Sequence, residues 1–321
     1  MTLDQVAGAV LVDPSRNSKL RELTELAGLP VRWCDEWPFD AGRADRIVTT
    51  IPVPAPHVDR ALGVIVDPSV SPGMGEAWPS RTVLLEEGDV AVVSHLAGGS
   101  DRLGRVVAVV GMRGGVGTTA LAASLARVLS ETPSAVALVD TDPVPRLRTL
   151  LGTDSGLVWA DLAGGEGPLL PHRLEEGLPR WERVHVLTSD GRAGGRERLD
   201  AAIRALAASH EVVVVDLGRD VEALGELSPE VVVMVAAGDA TDLAAMTRVI
   251  GEGCTHIPVI RTGGAITIEE AALRLATAVV PLGTEKGGSA AQTHGTRPGD
   301  RPRGALVRAA RAVAAVVEQR P

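Results

Sequence analysis

The 321-residue sequence contains no tyrosine, one phenylalanine (Phe39) and only two lysines, Lys19 and Lys286. Without aromatic bulk, a core must be assembled from Val, Leu, Ala and Ile, which suits a parallel sheet covered by helices on both faces. The two cysteines, Cys34 and Cys254, lie far apart without CxxC spacing. They read as reduced thiols and argue against a disulfide framework or a cysteine-based metal site. No apolar run approaches the ~20 residues that span a bilayer; the longest, such as VVVMVAA at 231–237, have the length of buried strands. The opening MTLDQVAGAVLVDPSR has an early Asp4 and no basic stretch, so it makes a poor secretory signal and a cytoplasmic protein is expected. The net charge of −9 implies no general nucleic-acid-binding surface. Arginine carries nearly all the positive charge, and the Ala/Gly/Val/Arg richness reads as high-GC coding bias.

The length suits about two domains. Residues 1–100 read as a small α/β unit. GAVLVD (8–13), LPVRW (29–33) and ALGVIVD (61–67) read as strands, and residues 82–97 contain one or two more. SKLRELTELAG (18–28) reads as an amphipathic helix with Leu20, Leu23, Leu26 and Ala27 on one face. The Pro/Gly/Trp-rich stretches 37–58 and 68–81 carry no clear element, and Trp33, Trp37 and Trp78 read as packing residues. AGGSDRLGR (97–105) reads as a hinge, placed at 101–105. From residue 106 to 321 strands and helices alternate. Strands are expected at 106–110, 135–140, 183–187, 211–216, 230–236 and 257–260, with a short one at 278–281. Helices are expected at 116–130, 195–209, 219–226, 239–251, 268–276 and 304–318. Nearly unbroken apolar strands alternating with helices predict an α/β, doubly wound and mostly parallel sheet. Residues 284–303 read as a polar, Gly-rich loop.

Three motifs carry chemistry. Residues 113–119, Arg-Gly-Gly-Val-Gly-Thr-Thr, sit between an apolar strand and an alanine-rich helix, the context of a phosphate-binding loop. Gly114, Gly115 and Gly117 let backbone N–H groups turn toward phosphate oxygens around Val116, and the helix N-terminus adds its positive dipole end. Thr119 fits the hydroxyl that ligates Mg2+. Thr118 stands where such a loop usually carries lysine. The second motif, ALVDTDP at 137–143, places Asp140 and Asp142 at the carboxyl end of the next strand, the edge where open α/β sheets bind ligands. One carboxylate suits magnesium and the other an attacking water; strand-end aspartates also cap turns. The third, EVVVVDLGR at 211–219, ends a valine strand on Asp216, suited to Mg2+ through water. Leu217–Asp220 would follow near the terminal phosphate.

The string RGGVGTT resembles the deviant Walker A box, KGGxGK[ST], of the MinD/ParA superfamily. ALVDTDP resembles its Walker A′ box and VVVVDLG its Walker B. GLVWADLAG at 156–164, the degenerate loop and the extra N-terminal unit resemble the CpaE/TadZ branch, closest to the septum site-determining (Ssd) group of high-GC bacteria, found near Tad/Flp pilus and secretion genes. The resemblance covers about residues 105–320. It implies ATP and Mg2+ as cofactors and a homodimer with nucleotide sandwiched between subunits. Arg113 falls on the signature lysine that reaches the partner's phosphates, and Thr118 on the Walker lysine. Asp142 falls on the water-orienting aspartate, Asp140 and Asp216 on the magnesium-side carboxylates, and Arg261 near an asparagine that contacts the base. Loss of the Walker lysine implies weak or absent hydrolysis. The implied role is positioning cell division or Tad/Flp pilus-secretion machinery, at the inner face of the membrane, at the pole or septum.

The N-terminal unit resembles a degenerate response-regulator receiver. After the first strand only Asp13 is acidic, Asp67 is the candidate phosphoacceptor, and no lysine lies between Lys19 and Lys286. A docking domain that is not phosphorylated is expected. In the last helix Leu306, Ala310, Val313 and Val317 line one face, which suits packing on the sheet. Six arginines against two acids over 297–320 leave membrane or nucleic-acid contact at most weak.

Overall fold

Short β-branched runs separated by turn residues build a five-stranded sheet in the N-terminal part. The computed structural model describes residues 9–26, 31–34, 46–54, 61–74, 76–79, 81–87, 92, 96, 104–132, 134–164, 169, 171–227, 229–250, 254–284 and 297–319. The chain divides into two units, Met1–Leu103 with Glu166–Leu174, and Gly104–Gly165 with Glu175–Pro321. In the first, strands β1 (Ala9–Val12), β2 (Val31–Cys34), β3 (Arg46–Thr49), β4 (Ala61–Ile65) and β5 (Arg81–Leu84) are all parallel, in the order β2-β1-β3-β4-β5. That is the flavodoxin-like strand order. Helix α1 (Ser18–Leu26) is capped by Asn17, whose Oδ1 accepts from Leu20 N at 3.1 Å, and it buries Leu20 and Leu23. A short antiparallel pair joins Val53–Pro54 to Glu76–Ala77.

β3 was not expected from the sequence, and it moves Asp67 in the strand count. Asp67 follows the fourth strand, is exposed, and accepts from Ser69 N (2.9 Å) and Oγ (2.7 Å). The end of the third strand and the position after it, the receiver's phosphoacceptor place, hold the buried Thr49 and Thr50. Asp13 is also buried, and its carboxylate accepts from Ser15 N and Oγ, Asn17 N and Thr50 Oγ1.

The second unit is an eight-stranded sheet. Its strands are β6 (Arg105–Gly111), β7 (Val136–Asp140), β8 (Arg180–Trp181), β9 (Val184–Leu187), β10 (Val212–Asp216), β11 (Val231–Ala236), β12 (Thr255–Arg261) and β13 (Val280–Leu282). The order is β8-β9-β7-β10-β6-β11-β12-β13, parallel except for β8. Helices are α2 (Thr118–Leu129), α3 (Arg146–Leu151), α4 (Trp159–Leu162), α5 (Pro171–Gly177), α6 (Leu199–Ser209), α7 (Ala223–Leu227), α8 (Ala240–Val249), α9 (Ile268–Leu275) and α10 (Ala305–Glu318). The doubly wound α/β expectation holds in the strand positions and in their parallel pairing. The three helices α3, α4 and α5 were not expected; each is too short to show a helical period.

Alternation along each strand gives the sheet two buried faces. Val107, Val109, Leu138, Val214 and Val233 pack with α2 and α10. The intervening Ala108, Val110, Val139, Val213 and Met234 are equally inaccessible, and α6 lies along β6 and β10. Burying each valine stabilises by roughly 1.5–3 kcal/mol. In α10, Ala310, Val313 and Val317 are buried and Leu306 partly so; the helix packs against α2 and β13. No described helix is long and apolar enough to cross a membrane. Most of the hinge expected at 97–105 lies outside the described residues, as do residues 285–296 of the polar loop.

Candidate functional site

β6 ends at Gly111, and the chain turns through residues 112–117 before α2 begins at Thr118. Gly115 and Gly117 hold φ of 77° and 96°, which side-chain-bearing residues rarely adopt. A Cβ on Gly115 would meet nothing within 4 Å, so the loop faces open space there. Gly117 is the N-cap of α2 and offers no side-chain acceptor. The first-turn N–H groups of the helix are therefore left for an anion. Thr118 is buried, and a Cβ built on Gly111 would meet its Oγ1 at 2.2 Å. Its hydroxyl therefore lies at the base of the loop, and position 118 brings no charge. Val116 is also buried, and its carbonyl accepts from Arg261 Nη1 at 3.3 Å.

The parallel register sets Asp140 directly beside Asp216 at the ends of β7 and β10. Each is 1 % exposed. Asp140 Oδ1 accepts from Asp142 N (3.0 Å) and Asp216 Oδ1 from Gly218 N (3.0 Å), whereas Oδ2 of each is buried without a partner. Burial, then the Asp216 charge, pushes the Asp140 carboxyl up to about 8. Burial also raises Asp216, offset in part by the Thr119 hydroxyl beside it. Two adjacent buried carboxylates with orphaned oxygens are costly alone. They fit a hard divalent cation that takes oxygen ligands and phosphates, such as Mg2+. The Trp159 indole donates to the Asp140 carbonyl at 2.7 Å, fixing the backbone at this carboxylate. Asp142 is half-buried at the cleft wall, with Oδ1 accepting from Val144 N at 2.9 Å.

These elements border a cleft of about 1040 Å3 that includes Gly114, Gly115, Gly117, Thr118, Thr119 and Asp142. Arginines dominate its wall: Arg113, Arg146, Arg196, Arg219, Arg261, Arg297 and Arg301, against Asp142 and Asp220. This charge suits a polyanion. Arg113 is held by the start of α8: it pairs with Asp239, and its Nε donates to Asp242 Oδ1 at 2.8 Å. Both carboxylates raise its already high pKa, Asp242 most. The loop, Asp140, Asp142 and Asp216 thus converge as the sequence suggested. The reading from sequence missed the Asp239/Asp242 clasp on Arg113 and the cleft positions of Arg146, Arg297 and Arg301. The only signal for the clasp was Asp239 at a helix start; the rest depends on long-range folding.

The solved structures similar to this chain share its fold. A ParA family ATPase from Chlorobium tepidum aligns with TM-score 0.56 at 18% identity, covering 66% of this chain and 98% of its own. The septum site-determining protein MinD of Pyrococcus horikoshii, complexed with Mg-ADP, aligns with TM-score 0.54 at 20% identity, covering 67% and 96%. A MinC:MinD cell division protein complex from Aquifex aeolicus gives 0.53 at 18%, covering 68% and 97%. No curated protein matches the chain in sequence. Over residues 107–296, which hold the glycine loop and all three aspartates, the sequence matches the model of the CobQ/CobB/MinD/ParA nucleotide binding domain. That span exceeds half of the chain, and the chain belongs to this family.

Proposed function

We propose that the chain is an ATP-binding spatial regulator of the MinD/ParA kind, with slow or absent hydrolysis. The observation that carries this is the paired, orphaned carboxylates of Asp140 and Asp216 beside a glycine loop whose lysine position is Thr118. The residues that a bound nucleotide would need lie together, and position 118 brings no cation. Backbone N–H groups of Gly114, Gly115, Val116 and Gly117 and the N-terminus of α2, with Thr118 in its first turn, would hold the phosphates. Thr119, Asp140 and Asp216 would hold Mg2+, which neutralises phosphate charge when bound. Asp142 would orient a water. A single cation at a phosphoryl-transfer transition state is worth roughly 10³–10⁵ in rate; ground-state binding through backbone donors depends on it less.

In this reading two copies associate with nucleotide between them, Arg113 supplying the charge of the signature lysine. Guanidinium forks onto phosphate oxygens and stays charged. The N-terminal unit docks partners, and the finer role is that of the CpaE/TadZ branch and its Ssd group, positioning division or Tad/Flp pilus-secretion machinery. The protein works in the cytoplasm, at the inner face of the membrane, at the pole or septum.

Affinity for ATP and ADP with Mg2+, followed by turnover, tests this. Binding with little turnover is expected, and Arg113→Ala abolishes ATP-dependent dimerisation. Ordinary ATPase rates would make the chain a cycling motor, and no nucleotide affinity would make it a scaffold; either overturns the proposal.

A further inference from the structure

The Walker-B-like strand β10 is followed by a turn pinned to the glycine loop's own strand. Leu217 N donates to Val109 O at 3.0 Å, and Gly111 N donates to Gly218 O at 2.7 Å. Gly218 holds φ of 57°, and its N–H is taken by Asp216 Oδ1. The backbone is therefore fixed up to Arg219, whose side chain is free to extend. Arg219 is exposed and lines the cleft. A Cβ built on Gly114 would lie 3.9 Å from its Nη1 and 4.0 Å from its Cδ. The guanidinium thus stands over the glycine loop, with nothing nearer to that side of Gly114.

Other cleft arginines are engaged. Arg113 is clasped by Asp239 and Asp242, Arg196 pairs with Asp220, and Arg261 donates to Val116 O. Asp220, the acid next to Arg219 in the chain, is thereby already occupied. The Arg219 side chain makes no hydrogen bond or ion pair among the described residues. Arg146 and Arg297 also line the cleft, but neither guanidinium is placed against the loop glycines.

We propose that Arg219 is the cation that meets the phosphates of a bound nucleoside triphosphate, a charge that position 118 does not bring. This rests on the reading of the cleft as a nucleotide site. The charge comes from a different strand end than the loop lysine's. A forked guanidinium fits phosphate oxygens without occupying the loop interior. It also binds without being carried on the helix that begins at Thr118, so binding and turnover become separable.

The test uses the full-length chain with ATP and Mg2+, reading affinity by fluorescent-nucleotide displacement. Arg219→Ala is expected to weaken ATP about 10–100-fold, the worth of a charged hydrogen bond, while Arg219→Lys retains most of the affinity. The exposed side chain supports no packing, so the urea midpoint of Arg219→Ala stays at that of the parent. Arg274, paired with Glu270 on α9 and absent from the cleft lining, controls for net charge; Arg274→Ala is expected to bind as the parent does. An Arg219→Ala protein that binds ATP normally overturns the inference and leaves the nucleotide site standing. Equal losses in Arg219→Ala and Arg274→Ala overturn it as a general charge effect. A parent protein that binds no nucleotide defeats the functional reading itself, and this inference with it.

Discussion

Arg113 Nε donates to Asp242 Oδ1 at 2.8 Å across 129 positions of sequence, joining the glycine loop to the first turn of α8. Asp242 is 2 % exposed, and its other oxygen accepts from Ala237 N at 2.7 Å. The carboxylate thus ties together the loop, the end of β11 and α8. Asp242→Ala leaves the Ala237 N–H without its acceptor and releases Arg113. The expected cost is about 1–3 kcal/mol, the penalty of an unmade bond at a largely buried group. Asp239→Ala removes the more exposed partner and the N-cap of α8, whose Oδ1 accepts from Asp242 N at 2.9 Å, a cap worth about 0.5–2 kcal/mol, but it spares the bond to Ala237, so its loss should be the smaller of the two. Urea unfolding of both variants checks the order; equal losses would show that Asp242 is not the anchor.

A second expectation concerns the price of the cation site. Asp140 and Asp216 sit in register with one orphaned oxygen each, and burial raises the pKa of both. Replacing either by Asn preserves shape and removes the cost that burial imposes on the carboxyl, which for Asp140, held at about 8, is the proton it must take up on folding at neutral pH. The nucleotide-free protein should therefore gain thermal stability, at ~2–4 °C for each kcal/mol in a unit of roughly 200 residues. The same variants should lose Mg2+-dependent ATP affinity, a trade between stability and function at one site. Thermal scans with and without Mg-ATP measure both; a Tm that falls in the nucleotide-free Asn variants would contradict the account.

What could be read from the sequence follows from how local each signal is. VVVVD at 212–216 and VVVMVA at 231–236 announce themselves as buried strands, because nothing polar interrupts them. The loop glycines and the strand-end aspartates could be placed together because parallel βαβ units bring strand ends to one edge. β3, by contrast, is four residues in a Pro/Gly/Trp-rich stretch, too short to stand out from its surroundings. Without it the strand count shifts by one, and Asp67 falls at the phosphoacceptor's place. The Arg113–Asp242 bond and the stand of Arg219 over Gly114 depend on contacts across more than a hundred residues, which no local pattern encodes.

That shift yields a prediction for the N-terminal unit. Asp67 follows β4 and already accepts two bonds from Ser69, which hold its pKa down. Asp13, the acid after β1, is engaged by Ser15, Asn17 and Thr50. The end of β3 and the place after it hold Thr49 and Thr50, and threonine cannot form an acyl phosphate. Incubation with acetyl phosphate and Mg2+ should therefore leave the intact mass unchanged. Stoichiometric phosphorylation, traced to Asp67 by its loss in Asp67→Asn, would overturn this.

The last expectation lies in a pair of histidines on β9 and just before β10. Arg180 Nε donates to His185 Nε2 at 2.7 Å, so that nitrogen must accept and Nδ1 must carry the proton. His185 Nδ1 then donates to His210 Nε2 at 2.7 Å, and His210 Nδ1 donates to Leu206 O at 3.0 Å. Glu175 lies 3.9 Å from His185 Nε2, and the three side chains come within 4.8 Å of one another. Their ring nitrogens are nevertheless committed to a chain of neutral imidazoles, which argues against a metal. Burial first, then His210 and Arg180, lowers the His185 pKa to about 4 from 6.5. A histidine whose folded pKa is depressed binds protons more readily when unfolded, so stability falls as pH drops from about 6.5 toward 4. For this 5 % exposed ring the loss is on the order of 2–3 kcal/mol. His185→Asn should be less stable than the parent at pH 7, and the gap should narrow by about that amount near pH 4.5. Urea midpoints across this range decide it: a gap independent of pH would mean that the fold does not hold His185 neutral.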